Sequence, residues 1–234
     1  MICGVLMSTL FMSSALAAPA AGKARPLDAK AGKVAAAPSA APKGDPVAGK
    51  DKADSERCIE CHGLDGNGAG HANSVEGKFA KLAGQHPEYM LKQIQDLRSG
   101  ARKHDQMAIM ARSVSDEDAR DILAYFASLP RLKGEGAASL DAAKAELGKA
   151  LFAQGDAARG IVACASCHGD QGQGLPATPL VPRVGGQEWR YLDKQLRDWR
   201  SGDRRNSPDG VMNKVAAALT DKEIEVLAEH LSGL

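Results

Sequence analysis

Residues 58–62 read Cys58-Ile59-Glu60-Cys61-His62, and residues 164–168 read Cys164-Ala165-Ser166-Cys167-His168. Two thiols three positions apart, followed at once by a histidine, form the attachment motif of a c-type haem. The spacing follows from the chemistry. The thiols add across the two vinyl groups of the porphyrin from one turn of chain, and the adjacent imidazole ligates the iron through one nitrogen. Its other nitrogen is then free to donate a hydrogen bond that fixes the ring. Three other readings compete. Two Cys-x-x-Cys pairs can hold one zinc ion, but here each pair carries its own histidine and sits in its own half of the chain. A thioredoxin-like dithiol needs a βαβ setting, which the pattern does not supply. Structural disulfides suit an exported protein, but the spacing does not suit a disulfide framework. The motif residues therefore predict two covalently bound haem c groups, on Cys58 and Cys61 and on Cys164 and Cys167, with His62 and His168 as iron ligands.

Working outward, the motif belongs to an internal duplication. Leu82-Ala83-Gly84-Gln85 matches Val184-Gly185-Gly186-Gln187. At the same offset, Tyr89 matches Tyr191, Lys92-Gln93 matches Lys194-Gln195, and Asp96 matches Asp198. Arg98-Ser99-Gly100 matches Arg200-Ser201-Gly202, and Ser115-Asp116 then matches Thr220-Asp221. Units of this size are duplicated domains rather than solenoid repeats, which are shorter. The divisions read as domain 1 over 45–131, a glycine-containing linker over 132–140 and domain 2 over 141–234.

Both halves carry helical periodicity and almost no alternation, so the fold class is all-α. Asp45-Pro46 reads as the cap and first position of a short helix. Residues 88–98 put Leu91, Ile94 and Leu97 on one face. Residues 116–128 follow Ser115 as N-cap. Segments 141–153, 188–200 and 221–232 repeat the plan.

The duplication also selects the second iron ligand. Met212 is the only methionine after His168, and it lies eight residues before Thr220. Met107 lies eight residues before Ser115, so it is the matching candidate. Its competitor, Met110, corresponds to Val215, which cannot ligate. Met90 reads as core. His71, His86 and His104 have no histidine counterpart in the second half and read as surface or loop residues. Tyr89 and Tyr191 are candidates for packing on the haem or bonding a propionate. Gly84 and Gly186 read as turns or close approaches, and Arg98 and Arg200 as a solvated helix face.

Composition agrees with a small cofactor-filled core. Of 234 residues, 44% are hydrophobic but only 4% aromatic, and a porphyrin can supply the missing flat surface. The formal net charge is +1, which gives no overall basic field for nucleic acid. Residues 1–17 are apolar and uncharged and end in Ala15-Leu16-Ala17, the pattern of a secretory signal peptide without a basic n-region. Cleavage would remove Cys3. Residues 18–44, rich in Ala, Pro, Lys and Gly, read as a flexible spacer.

Taken together, the chain resembles the two-haem cytochrome c4 family over residues 45–234. The resemblance rests on the duplicated Cys-x-x-Cys-His-Gly, the LAGQ and VGGQ stretches with their following Tyr, Lys-Gln, Asp and Ser-Gly, and the methionine ahead of each Ser/Thr-Asp helix start. It implies two tandem class I cytochrome c domains related by pseudo-two-fold symmetry, with His/Met ligation of both irons. It also implies a periplasmic electron carrier rather than an enzyme. Its partners would be a terminal oxidase or reductase and an upstream quinol-oxidising complex or dehydrogenase. Loose membrane association is known for some members. The alternative reading is a two-haem c-type oxidoreductase, or the cytochrome subunit of a dehydrogenase complex. One departure stands out. The family places Pro two residues before the LAGQ-type segment, its carbonyl near the iron-ligating histidine. Pro182 keeps that pattern, whereas Ala80 replaces it in the first half, and the two haems are therefore expected to differ in potential.

Overall fold

The computed structural model describes residues 43–68, 79–131 and 141–234, together with Met1. Apart from Met1, the expected signal segment with Cys3, the spacer up to residue 42, His71 and the linker 132–140 lie outside the described residues.

Ten α-helices run through the described chain. The first half holds α1 (Pro46–Ser55), α2 (Cys58–His62), α3 (Pro87–Ser99), α4 (Asp105–Ser113) and α5 (Asp116–Ser128). The second holds α6 (Ala142–Gln154), α7 (Ala165–His168), α8 (Trp189–Ser201), α9 (Val211–Ala217) and α10 (Asp221–Gly233). Among the described residues the only β-type pairing is an isolated bridge between Asp156 and Ile161. No described helix is long and apolar enough to cross a membrane.

Local chemistry sets the helix ends. The Asp45 carboxylate accepts from the backbone N–H of Val47 at 2.8 Å, with Pro46 at the first helical position. Ser115 caps α5 by accepting from Asp118 N–H at 3.0 Å. Thr220 and Glu223 form a reciprocal capping box at the start of α10. The motif helices α2 and α7, and the helices α4 and α9 that carry Met107 and Met212, were not foreseen from periodicity. At four to nine residues they are too short to show it.

In each half the first helix crosses the last at contact distance. A Cβ on Gly49 of α1 would overlap the Asp121 carbonyl of α5. A Cβ on Gly148 of α6 would lie 2.5 Å from the Val226 carbonyl of α10. Lys52 ties the first crossing by pairing with Asp118 and Asp121 at 2.7 and 2.5 Å. Domain 1 is centred on Ala53, Met90, Ile122, Leu123, Tyr125 and Phe126. Domain 2 is centred on Leu151, Phe152, Ile161, Leu192, Leu219, Ile224, Leu227, Ala228 and Leu231. Met90 is thus core, as its sequence position implies. Leu91 and Ile94 of α3 pack only partly against this core.

Candidate functional site

The first turn after each motif cysteine is helical. His62 closes α2 and His168 closes α7, and both imidazoles are buried. His62 Nδ1 lies 2.8 Å from the Ala80 carbonyl oxygen, and His168 Nδ1 lies 2.8 Å from the Pro182 carbonyl oxygen. A carbonyl only accepts, so Nδ1 carries the proton and Nε2 keeps a bare lone pair. Burial lowers both imidazole pKa values, against the raising effect of the carbonyl bonds, and so favours the neutral, ligating form. The replacement of Pro by Ala at position 80 therefore keeps the bond and its length. The surroundings of the two rings do differ: Phe79 and Phe126 stand edge-on to His62 at centroid distances of 6.3 and 6.4 Å.

None of the four motif cysteines is in a disulfide. Cys58 and Cys164 are pushed up to about 11 by burial, so neither is a thiolate near neutral pH. An apolar cavity in domain 1 is lined by Cys58 together with Ile94, Met107, Met110, Val114, Ala119, Ile122 and Leu123. A thiol, two thioethers and an otherwise hydrocarbon wall suit a porphyrin face and a soft iron ligand. Both methionines reach this space because they lie three residues apart on one face of α4. Met107 and Met212 share a further feature. The Met107 N–H donates to His104 Nδ1 at 3.3 Å, and the Met212 N–H donates to Ser207 Oγ at 3.2 Å. His104 is thus the cap of α4, and His86 is the cap residue of α3.

Gly84 and Gly186 both have positive φ and form turns. Their N–H groups donate to the carbonyls of Phe126 and Leu231, at 2.9 and 2.7 Å. Arg98 and Arg200 are not a solvated face. Arg98 bonds the carbonyls of Ala111 and Val114 at 2.6 and 2.7 Å and pairs with Asp116. Arg200 bonds the Leu219 carbonyl at 3.0 Å and pairs with Asp221. Each arginine clamps the junction between the methionine helix and the last helix of its domain.

Sequence reasoning missed the residues that join the halves. Gln85 and Gln187 each act as a cross-domain peptide mimic. Gln85 donates to the Arg183 carbonyl at 2.8 Å and accepts from the Arg183 N–H at 2.9 Å. Gln187 does the same to Lys81, at 3.0 and 2.7 Å. Beside them, Arg102 bonds Gln93 of its own domain and Tyr191 and Gln195 of the other, at 3.0–3.1 Å. Arg204 bonds its own Gln195 at 2.6 Å and Gln93 and Tyr89 across the seam at 3.0 and 3.2 Å. If residue i meets j, the counterpart of i meets the counterpart of j, which is the signature of a two-fold relation. Tyr89 and Tyr191 thus hold the partner domain's arginine. Arg102 and Arg204 continue the register of Tyr89/Tyr191 two residues past the matched glycines, which is the signal that could have found them.

The chain matches the cytochrome c family over residues 46–130 and again over 145–234. It is 41% identical over 192 residues to a cytochrome c4 of Pseudomonas aeruginosa, covering 82% of this chain and 89% of that one. It is 37% identical over 203 residues to a cytochrome c4 of Thiocapsa roseopersicina, covering 87% and 98%. A crystal structure of reduced recombinant cytochrome c4 from Pseudomonas stutzeri superposes with a TM-score of 0.71 at 38% identity, covering 82% of this chain and 99% of that one. With its duplicated helical domains, paired buried histidines and two-fold seam, the chain belongs to the cytochrome c4 family, electron-transfer proteins built from two tandem cytochrome c domains.

Proposed function

We propose that the chain holds two haem c groups, bound through Cys58 and Cys61 in domain 1 (45–131) and through Cys164 and Cys167 in domain 2 (141–234). His62 and Met107 would ligate one iron, His168 and Met212 the other. The haem iron supplies one-electron redox chemistry with no bond made or broken in a substrate. The chain's own groups keep each site in one state: the carbonyls of residues 80 and 182 orient the histidines, and in domain 1 the apolar wall excludes water. The observation that carries this reading is the pair of buried imidazoles with identical 2.8 Å Nδ1 bonds. Met107 is favoured over Met110 because it shares a side-chain-capped N–H with Met212, while Met110 corresponds to Val215.

The proposed setting is the periplasm, reached through cleavage of residues 1–17, with 18–44 as spacer and 132–140 as linker. Electrons pass one at a time from a quinol-oxidising complex or dehydrogenase to a terminal oxidase or reductase. Carbon monoxide binding to the reduced, haem-loaded protein tests the ligand set. The wild type should show no rapid spectral change, Met107→Leu and Met212→Leu should each open one haem per chain, and Met110→Leu should open none. Rapid binding to the wild type, or opening by Met110→Leu alone, would overturn the assignment.

A further inference from the structure

A second group of side chains at the domain seam has no role in the site above. Arg131 follows α5 in domain 1, and Arg183 precedes the VGGQ turn in domain 2. Among the described residues, all three guanidinium nitrogens of Arg131 are buried without a hydrogen-bond partner. The Nε of Arg183 and the Nε2 of His86 are buried and unpartnered in the same way. These groups are neighbours. A Cβ on Gly84 would stand 3.4 Å from Arg131 Cβ and 3.7 Å from Arg183 Nη1. A Cβ on Gly174 would meet His86 Nε2 and lie 3.3 Å from Arg183 Cγ.

Other arginines of the fold show how unusual this is. Arg98, Arg159 and Arg200 pair with carboxylates, and Arg102 and Arg204 are satisfied by amide and phenol oxygens. Arg120 has a buried Nε without a partner, but its Nη1 donates to the Asp116 carbonyl at 3.2 Å. Arg131 has no partner among the described residues, and the charge that acts on it is that of another cation, Arg183. Burial and the Arg183 charge together press its pKa down to about 10. An unpaired buried cation is costly, because desolvation is not returned by any bond. Arg183 cannot turn away to relieve it: its Nη1 is held by the Gly84 carbonyl at 2.6 Å and its backbone by Gln85.

We propose that Arg131, Arg183 and His86 form a binding site for a small oxyanion of the phosphate or sulfate class, which bridges the two domains at their seam. Guanidinium forks present parallel donors that match oxyanion geometry, and the His86 ring offers a further N–H. The bound anion neutralises two like charges that otherwise repel, so it acts as a latch between Arg131 of the first domain and Arg183 of the second.

Equilibrium dialysis of radiolabelled inorganic phosphate against the haem-loaded full chain, at constant ionic strength, tests the site. The wild type should bind one phosphate per chain, and Arg131→Leu should weaken that binding at least tenfold. Thermal unfolding provides the second readout. Phosphate should raise the wild-type midpoint and leave that of Arg131→Leu unmoved, while Arg131→Leu in phosphate-free buffer should match or exceed the wild type. No saturable binding to the wild type, or equal binding by the variant, overturns the proposal. So does a shift in haem midpoint potential on Arg131→Leu in phosphate-free buffer, because a haem carboxylate would then be what meets the guanidinium.

Discussion

At the scale of single residues, the two histidines carry the most information. Each needs a proton on Nδ1 and none on Nε2, and a backbone carbonyl enforces that state in both domains. Because the acceptor is main chain, position 80 tolerates Ala where position 182 has Pro. Ala80 nevertheless lacks the ring that locks φ, and of the two motif histidines only His62 has aromatic edges against it among the described residues. A spectroscopic redox titration should therefore resolve two one-electron steps, and a single step at one potential would contradict the inequality of the sites. The motif cysteines and histidines stand out by spacing alone, at the separation that the proposed haem attachment demands. The carbonyl partners were legible only by family resemblance, since nothing local marks a carbonyl 18 or 14 residues away as an acceptor.

At the scale of elements, caps and clamps decide where helices begin. The Arg159 guanidinium bonds Glu223 at 2.5 and 3.2 Å and holds its carboxyl down to about 2, against the opposing effect of burial and with help from Thr220. The ordinary value is 4.5, so the folded pKa is depressed. The stabilisation is complete above about 4.5 and is lost as pH falls from there toward 2. Acid unfolding of the wild type should steepen across this window, and Glu223→Gln should flatten it while lowering stability at neutral pH; unfolding midpoints measured against pH check both. Arg98 makes the corresponding junction in domain 1. Arg98→Ala should cost about 2 kcal/mol in a denaturant titration, because it leaves the Ala111 and Val114 carbonyls without their donor. The long helices were readable to within a residue or two, since periodicity and caps agree. The methionine helices were not, because seven to nine residues carry too little pattern and their position depends on the clamps.

At the scale of the whole molecule, the seam is a polar core. Gln93 accepts from Arg102 at 3.1 Å and from Arg204 and Asn206 at 3.0 Å each. Gln93→Leu removes an acceptor shared by two buried guanidiniums. The expected cost is about 3 kcal/mol, on the order of 1–3 kcal/mol per stranded charged donor. Calorimetry should then show the two domains unfolding in separate transitions. A single unchanged transition would mean that the glutamine pairs at 85 and 187 couple the domains without this cluster.

The sequence by itself determined the duplication, the helical class and the motif residues, since each depends on spacing along one chain or on comparison of its two halves. Only the tertiary structure decided what the repeated glutamines, tyrosines and arginines do. Their partners lie 89 to 115 residues away, across a pseudo-dyad that no local pattern encodes. The orphaned Arg131 belongs to the same class. Its meaning comes from burial and from the absence of any acceptor among the described residues, and both are properties of a packed seam rather than of a string of residues.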